Sequence, residues 1–312
     1  TFFFEFIGSL LLIIAWYTPD EPLKDIIFTA IFHSISAFCN AGFSLFPDSL
    51  IGFQFHFATI SIISFLIIVG GLGFPVLFNL YQRFINNQQT KLRLQTRMAL
   101  LVTIFLIIFG TLVIFCTEYS HSMSAFNWFE KLQLSFFQSV TTRTAGFVTT
   151  DITMFHPSTI MICLILMIIG ASPVSTGGGI KTTTFALIVV SFWNIIKSSF
   201  RFDYQKKTID PNSVFVAFAT LFIAIFLICS FSFFLFLTDV APIDQLLFEV
   251  VSAFGTVGLS LGVTSHLSAF GKLLIMSIMF IGRIGPFVFL YAFFQRRNVK
   301  HYSYPVEKVS IV

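Results

Sequence analysis

Three short segments of this chain share one pattern of small and polar residues around a glycine. They read FHSISAFCNAGFSLF (32–46), FFQSVTTRTAGFVTT (136–150) and FEVVSAFGTVGLSLG (248–262), and they align without gaps on Gly42, Gly146 and Gly258. Because glycine adopts backbone conformations closed to other residues, such loops can turn their carbonyls toward one axis. Rings of backbone carbonyls replace the hydration shell of a cation in selective pores, so the chemistry these loops suggest is cation coordination.

The third loop makes the suggestion more specific. It reads Thr256-Val257-Gly258-Leu259-Ser260, which is close to the TVGYG filter of potassium channels. A single Thr-Val-Gly arises often by chance. Three loops at equivalent places in three repeats are strong evidence for a shared, symmetric site.

The elements that would position these loops repeat as well. Apolar runs at 6–16, 98–117 and 214–237 precede them, and further apolar runs, such as 268–294, follow. Short helices are predicted at about 25–38, 128–141 and 243–254, too short to cross a bilayer about 30 Å thick. Each unit is therefore predicted to contain a spanning helix, a re-entrant short helix, an irregular loop and a second spanning helix. Such backbone survives in a membrane only when buried in protein or lining a wet cavity.

Composition supports a membrane protein. The chain has 312 residues, of which 56% are hydrophobic and 10% charged, against about 25% charged residues in soluble domains. Several apolar runs exceed the roughly 18 residues that mark a spanning helix. The four cysteines are scattered without a CxxC pair, which favours buried structural thiols. The chain begins with Thr1 inside an apolar run, so we expect a longer protein with residues before it.

The basic residues predict an orientation. Two spans per repeat put all inter-repeat linkers on one side, and twelve of the 18 basic residues lie in these linkers and the tail: Arg83, Lys91, Arg93, Arg97, Lys197, Arg201, Lys206, Lys207, Arg296, Arg297, Lys300 and Lys308. The positive-inside rule makes this side cytoplasmic. The opposite side is rich in acids, which would concentrate cations at a pore mouth: Asp20, Glu21, Asp25, Asp48, Glu118, Glu130, Asp151, Asp239 and Asp244.

Two further motifs complete a family resemblance. With the three loops, the stretches GASPVSTGGGIKTTT (170–184) and GRIGP (282–286) resemble the Trk/Ktr/HKT superfamily of potassium transporters, in wording most similar to bacterial Ktr-type pore subunits. The resemblance covers essentially the whole chain. It implies an all-α integral membrane protein with four repeats around one pore, of which this chain has three and lacks the first. The residue that separates sodium-passing from potassium-passing relatives lies in that first repeat.

The resemblance implies a selectivity filter that holds K⁺ by backbone carbonyls. Its twelve residues are four from each loop: Asn40, Ala41, Gly42 and Phe43; Thr144, Ala145, Gly146 and Phe147; Thr256, Val257, Gly258 and Leu259. No covalently bound cofactor is expected. The expected ion is potassium, with sodium as an alternative or coupled ion.

The stretch 170–179 is predicted to interrupt the second spanning helix of the middle repeat, because proline and a glycine triplet continue a helix poorly. By resemblance it is an intramembrane gate below the filter. The gate residues are Gly170, Ser172, Pro173, Ser175, Thr176, Gly177, Gly178, Gly179, Lys181 and Arg283. A phosphate-binding loop is excluded because Ile180 separates the glycines from Lys181 and the flanks are apolar.

Two arginines lie in apolar surroundings, where a charge is expensive and implies a polar role. Arg283 follows Gly282, which lies as far past Gly258 as Gly170 lies past Gly146, so Arg283 is expected at the depth of the gate. It either holds the carbonyls of the loop or repels ions; snorkelling to the interface is the structural alternative. Arg143 is expected to brace the filter by pairing with an acid, with Glu249 as one candidate.

The predicted domains follow the repeats. They are a pore repeat at 1–80, a cytoplasmic linker at 81–97, a gated pore repeat at 98–196, a linker at 197–211, the last pore repeat at 212–294 and a cytoplasmic tail at 295–312. Linkers and tail are predicted contact sites for a partner.

The sequence thus predicts potassium uptake at the plasma membrane by a multi-pass protein that is not an enzyme. Its six histidines are dispersed and no HExxH motif is present. Alternatives are a broken-helix secondary transporter for another solute and a sodium-passing member of the same family. The resemblance implies a homodimer with a separate cytoplasmic nucleotide-binding regulatory subunit. No feature indicates nucleic-acid binding.

Overall fold

A computed structural model describes residues 1–19, 22–84, 92–197, 203–204 and 207–294. Most of these residues are helical, and twelve α-helices follow one another along the described chain. They are α1 (Phe2–Trp16), α2 (Leu23–Phe38), α3 (Phe57–Leu72), α4 (Phe74–Phe84), α5 (Leu94–Glu118), α6 (Trp128–Thr141), α7 (Pro157–Ile168), α8 (Thr182–Ile196), α9 (Pro211–Thr238), α10 (Ile243–Gly255), α11 (Ala269–Ile284) and α12 (Pro286–Phe294). Strands β1 (Asp203–Tyr204) and β2 (Lys207–Thr208) form a small antiparallel pair.

The helices form three units of the same order: α1 to α4, α5 to α8 and α9 to α12. Within each unit, a first helix packs against a short helix, a glycine loop follows, and the second half is a helix that breaks before it ends. The short helices α2, α6 and α10 lie within about two residues of their predicted bounds, so this prediction is confirmed. Their starts are marked by Pro22, Pro242 and the capping box of Asn127 with Glu130.

Two described helices, α5 and α9, are individually long and apolar enough to cross a membrane. Helices α3 and α4 supply a third span if this pair, bent by 100°, is counted as one. The apolar run 268–294 was predicted to be one spanning helix, and this prediction is wrong because the run forms two helices. Gly285, with φ of 102°, ends α11, and Pro286 begins α12, so the run is divided.

Close helix contacts inside the units depend on small residues. Gly8 of α1 lies against Ser34 of α2, and Gly110 of α5 lies against Ser139 of α6. Ser34 Oγ also donates to the carbonyl of Glu5 at 2.7 Å. Small residues let helix backbones approach closely, which is the main source of helix association in lipid.

The outer helix faces are strongly apolar. On α9, only 28% of the most apolar window is buried, and phenylalanines such as Phe215 and Phe222 are exposed. A soluble monomer rarely exposes contiguous apolar surface of this extent. The outside of the structure is therefore suited to contact with lipid hydrocarbon.

Candidate functional site

The three loop glycines lie next to one another although they are far apart in sequence. A Cβ on Gly42 would overlap with Ala145 O and approach Gly146, and a Cβ on Gly146 would overlap with Val257 O. Gly42 and Gly146 thus each face the carbonyl that precedes the glycine of the next unit. The tertiary structure brings together the three segments that the sequence pattern aligned.

The backbone of the three loops has one unusual conformation in common. Asn40, Thr144 and Thr256, each two residues before its glycine, have φ of 50°, 71° and 52°. Gly42, Gly146 and Gly258 have φ of 73°, 81° and 90°. A positive φ is uncommon for a residue with a side chain and an outlier for a β-branched one such as threonine. Strain of this kind, about 1–3 kcal/mol per residue, clusters at functional sites.

Hydrogen bonds from the short helices hold these strained loops. Ser36 Oγ donates to Phe43 O at 2.8 Å, and Thr141 Oγ1 donates to Phe147 O at 2.7 Å. In the third unit the backbone amide of Val257 donates to Ser252 O at 2.8 Å. The loops therefore turn directly at the carboxyl ends of α2, α6 and α10.

The ring of loops is open on one side. Among the described atoms, a Cβ on Gly258 would meet only the Cα of Gly146, at 3.9 Å. The residues after the glycines differ accordingly: Phe147 and Leu259 are buried, whereas Phe43 is 70% exposed. The open side lies between the third loop and the first.

The predicted break in the middle repeat is present and longer than the motif that predicted it. Helix α7 ends at Ile168 and α8 begins at Thr182. Residues 169–181, called the axial loop below, are closed at their base by Gly170 N donating to Ile180 O at 2.9 Å and Ile180 N donating to Ile168 O at 3.0 Å. The two ends of the broken helix are thus held together while the loop between them projects away.

The axial loop lies directly against the glycine loops. Gly178 N donates to Thr256 Oγ1 at 3.0 Å, and Gly177 is packed so tightly on Thr144 Oγ1 that a Cβ would overlap with it. The Thr144 hydroxyl lies 3.1 Å from the amide of Asn40, so the side chains two residues before all three glycines lie beside the axial loop or beside a residue that contacts it.

The axial loop is also tied to the neighbouring helices on both sides. Toward the first unit, Ser172 N donates to Gly71 O at 2.9 Å and Phe74 N donates to Val174 O at 3.2 Å. Toward the third unit, Gly179 N donates to Gly282 O at 3.3 Å. Ser175 and Pro173 complete the loop, with Ser175 Oγ donating to Ser172 O at 2.5 Å.

Two cationic side chains bind adjacent carbonyls of this loop. Arg283, in the last turn of α11, donates from Nη1 to Thr176 O. Lys181 donates from Nζ to Gly177 O at 2.7 Å. The depth inferred for Arg283 from its spacing therefore agrees with its contact, although the role of either residue in gating stays a prediction.

The expected pairing of Arg143 with an acid is wrong for Glu249. Arg143 is 7% exposed, and its Nη2 donates to Thr103 Oγ1 of α5 at 3.3 Å. Glu249 instead accepts from Ser260 Oγ and, at 2.7 Å, from Thr264 Oγ1. The two side chains do not meet because Arg143 follows the carboxyl end of α6, whereas Glu249 lies inside α10 and turns toward the segment after the third glycine loop.

Some of the acids predicted to line a pore mouth are instead hydrogen-bonded to other parts of the protein. Glu118 is fully buried, and its carboxylate accepts from His156 N at 2.8 Å and Ser122 Oγ at 2.6 Å, so it joins loops rather than facing a pore entrance. Asp239 accepts from Ser268, the N-cap of α11. Asp20 and Glu21 lie outside the described residues, as do Lys91, Arg201, Lys206 and the tail 295–312.

Three residues of the site were missed by sequence reasoning. Thr103, which binds Arg143, lies within an apolar run that has no distinguishing motif. Ser36 and Thr141 belong to the hydroxyl-rich clusters before each glycine, so their position was the available signal.

The sequence is similar to that of known cation transport proteins over most of its length. The family model described as "TrkH: Cation transport protein" matches residues 1–300. The chain is 37% identical over 308 residues to "Ktr system potassium uptake protein D" of Bacillus subtilis, covering 98% of this chain and 69% of that protein. It is 34% identical over 314 residues to "Potassium/sodium uptake protein NtpJ" of Enterococcus hirae, covering 98% and 69%. The chain thus spans about two thirds of the length of these relatives.

A solved structure has the same fold. The crystal structure of the potassium transporter TrkH from Vibrio parahaemolyticus superposes with a TM-score of 0.75 at 19% sequence identity, over 93% of this chain and 61% of that one. At this identity the likeness concerns the fold.

Proposed function

The chain belongs to the TrkH family of cation transport proteins, a family of transporters and not of enzymes, and we propose that it forms most of the conduction pathway of a potassium uptake protein. The observation that carries the proposal is the layer of three adjacent glycine loops with the same strained backbone. Potassium is favoured by the relatives, whose names specify potassium uptake, or potassium and sodium uptake.

In this proposal the filter is built from backbone rather than side chains. Three short helices end at the loops, and the carboxyl end of a helix carries a partial negative charge that favours a cation nearby. Carbonyls of the loops replace the water of the ion. In the first loop, the positive φ of Asn40 and Gly42 is accompanied by a hydrogen bond from Ser36 Oγ to Phe43 O, so we expect this backbone to keep its conformation when the ion leaves.

The open side of the ring supports a further glycine loop beside Gly258 and Phe43, in agreement with a fourfold pore. The residue at the filter position of that loop decides between potassium and sodium. A sodium-passing or sodium-coupled protein is the second candidate, and the name of the Enterococcus hirae relative favours keeping it.

The axial loop is proposed as the gate. It lies against Thr144 and Thr256 of the filter layer and is bound by Arg283 and Lys181 at adjacent carbonyls. An ion leaving the filter along the axis would meet this loop, so the loop must move for conduction. Arg283 anchors it to the third unit through a charge-assisted hydrogen bond.

We further propose a homodimer in the plasma membrane, with the basic linkers at the cytoplasmic side, and a separate regulatory subunit that binds nucleotides. Relatives are named as parts of a Ktr system, which supports a multi-protein assembly. Purification of the native complex tests this, since regulated activity of the pore protein alone would contradict it.

The filter is tested most cleanly at Gly258. Gly258→Ser keeps a positive φ but creates no overlap, because the nearest atom to a Cβ is 3.9 Å away. The added side chain should disturb the carbonyl layer and lower the potassium-to-sodium flux ratio. Gly262→Ser is the matched control, since Gly262 has φ of 92°, no neighbour within 4 Å and lies outside the filter. Equal flux ratios in the two variants would contradict the filter assignment.

A further inference from the structure

Helix α4 runs almost perpendicular to the helix that precedes it. It is bent by 100° from α3, at Gly73. If α3 runs along the membrane normal, α4 lies close to the membrane plane. Its inner side packs near Ala99 and Leu100 of α5. These residues are five and six positions from the start of α5, which places α4 about 8 Å from that end of the helix.

The two faces of α4 have opposite character. Phe74, Phe78 and Tyr81, at positions i, i+4 and i+7, are exposed on one face. On the opposite side, Val76 and Asn79 are buried, and Arg83, one turn after Asn79 and near the end of the helix, is exposed. A short helix in the membrane plane with exposed aromatic residues and an exposed base can bind at the boundary between lipid headgroups and acyl chains.

The aromatic face borders an apolar cavity of about 880 Å³ between α4 and the start of α1. Its walls include Phe3, Phe4, Phe78 and Phe84. Arg83 Cζ lies 5.8 Å from the ring centroid of Phe84, one of these walls. The buried Asn79 accepts through Oδ1 from Arg93 N at 3.0 Å, which holds the Arg93 backbone beside α4, one turn from Arg83. An apolar cavity with one arginine at its wall and a second one turn away matches a molecule that has an acyl chain and an anionic headgroup.

We propose that α4 binds anionic phospholipid, with acyl chain in the cavity between α1 and α4 and phosphate at Arg83 and Arg93. Each arginine near an anionic surface contributes about fivefold in affinity. The two together therefore predict about a thirtyfold preference over zwitterionic lipid.

This lipid site is connected to the axial loop. Phe74, the first residue of α4, donates from its amide to Val174 O at 3.2 Å, and Gly73 is packed against Pro173 O. A change in the depth of α4 in the leaflet therefore moves the hydrogen-bond partner of the loop. Resting on the proposed function, the inference is that anionic lipid controls the gate through α4.

Binding is tested by fluorescence in vesicles. Phe78→Trp is reconstituted with a small fraction of brominated phosphatidylglycerol or brominated phosphatidylcholine, and the quenching of the parent protein is subtracted. Phe222→Trp on α9 is the matched control, because Phe222 is also exposed but α9 carries no lysine or arginine. We expect stronger quenching by the anionic lipid at position 78 only.

The charge dependence is tested in the same assay. Arg83→Gln with Arg93→Gln should abolish the preference at position 78, while Lys197→Gln, in the other linker, should keep it. Equal quenching of Trp fluorescence by both lipids would contradict the proposed lipid site. The absence of quenching by either lipid, which is expected if protein fills the cavity, would contradict it as well. Quenching does not depend on transport, so it remains informative if the proposed function fails.

Coupling to the gate has its own measurement. Potassium flux of the parent protein should differ between phosphatidylglycerol and phosphatidylcholine vesicles, and the double arginine variant should lose that difference. An unchanged lipid dependence in the variant would overturn the coupling.

Discussion

The helix after the glycine loop is broken in all three units, but the middle unit breaks it differently from the other two. In the first and third units, Gly70 and Gly282 pack against the last carbonyls of the short helices, Phe38 O and Phe254 O. The helix continues to Leu72 or Ile284, and one glycine of positive φ then turns the chain.

In the middle unit the helix ends earlier, at Ile168. Gly170 packs against Gly178 O of its own loop instead of a short-helix carbonyl. The loop then occupies the space beside the glycine loops, touching Gly71 on one side and Gly282 on the other. Two units therefore have a hinge that is packed against a short helix, and the middle unit has a separate segment that lies between the two hinges.

The largest effect is expected where a hinge helix meets a short helix. Gly70→Ala and Gly282→Ala each place a methyl group on a backbone carbonyl that cannot move aside. Overpacking typically costs about 1–3 kcal/mol, and these variants should lie at or above the upper end. Thermal unfolding in detergent and membrane abundance measure it.

Two variants serve as references for that prediction. Gly52→Ala has no atom within 4 Å and should be nearly neutral. Gly170→Ala overlaps with the carbonyl of Gly178 in the axial loop and not with a helix, and a loop can shift at lower cost, so this variant should fold better than Gly282→Ala while altering flux. If Gly170→Ala is as unstable as Gly282→Ala, the axial loop of the middle unit is as rigidly packed as the hinges of the other two units, and the distinction between them is wrong.

The next largest effect is expected at the tie between the loop and the third unit. Arg283→Ala removes the hydrogen bond to Thr176 O, and deletion of Gly177–Gly179 shortens the loop. A hydrogen bond to a charged group is worth about 1.5–3 kcal/mol, so the open fraction should rise about tenfold to a hundredfold.

Potassium flux at equal membrane abundance measures this change, with the potassium-to-sodium ratio expected to be retained. Arg283→Lys keeps a donor and should change flux less. Lower flux in correctly folded Arg283→Ala would show that the loop is not a barrier.

The smallest effect is expected at the tie to the first unit. Thr176 Oγ1 donates to Phe38 O at 3.3 Å, and a neutral hydrogen bond contributes about 0.5–1.5 kcal/mol. Thr176→Val should therefore raise flux about twofold to tenfold, and Thr176→Ser should not. An effect of Thr176→Val equal to that of Arg283→Ala would mean that both neighbours hold the loop equally.

Much of the site could be read from local patterns. The bounds of α2, α6 and α10 followed from the length of apolar segments before each glycine, and the break at 170–179 followed from proline and glycine. Spacing alone put Arg283 at the depth of the axial loop, because Gly282 lies as many residues past Gly258 as Gly170 lies past Gly146.

Other features depended on contacts between units. Nothing near Arg143 indicates that its guanidinium turns to Thr103 on α5 and not to an acid of the third unit. The run 268–294 is apolar throughout, so its division at Gly285 is visible only in the backbone angle. The 100° turn at Gly73 likewise occurs where the axial loop of the middle unit lies against this glycine.

By itself, then, the sequence determined the membrane class, the three repeats, the glycine loops and the segment that interrupts a helix, since each depends on residues close together along the chain. Only the tertiary structure decided which carbonyl each glycine faces, what Arg143 and Glu249 bind, and that the ring is open beside Gly258. Those outcomes depend on how three separate units are rotated about one axis, and the residues of a single segment carry no information about that rotation.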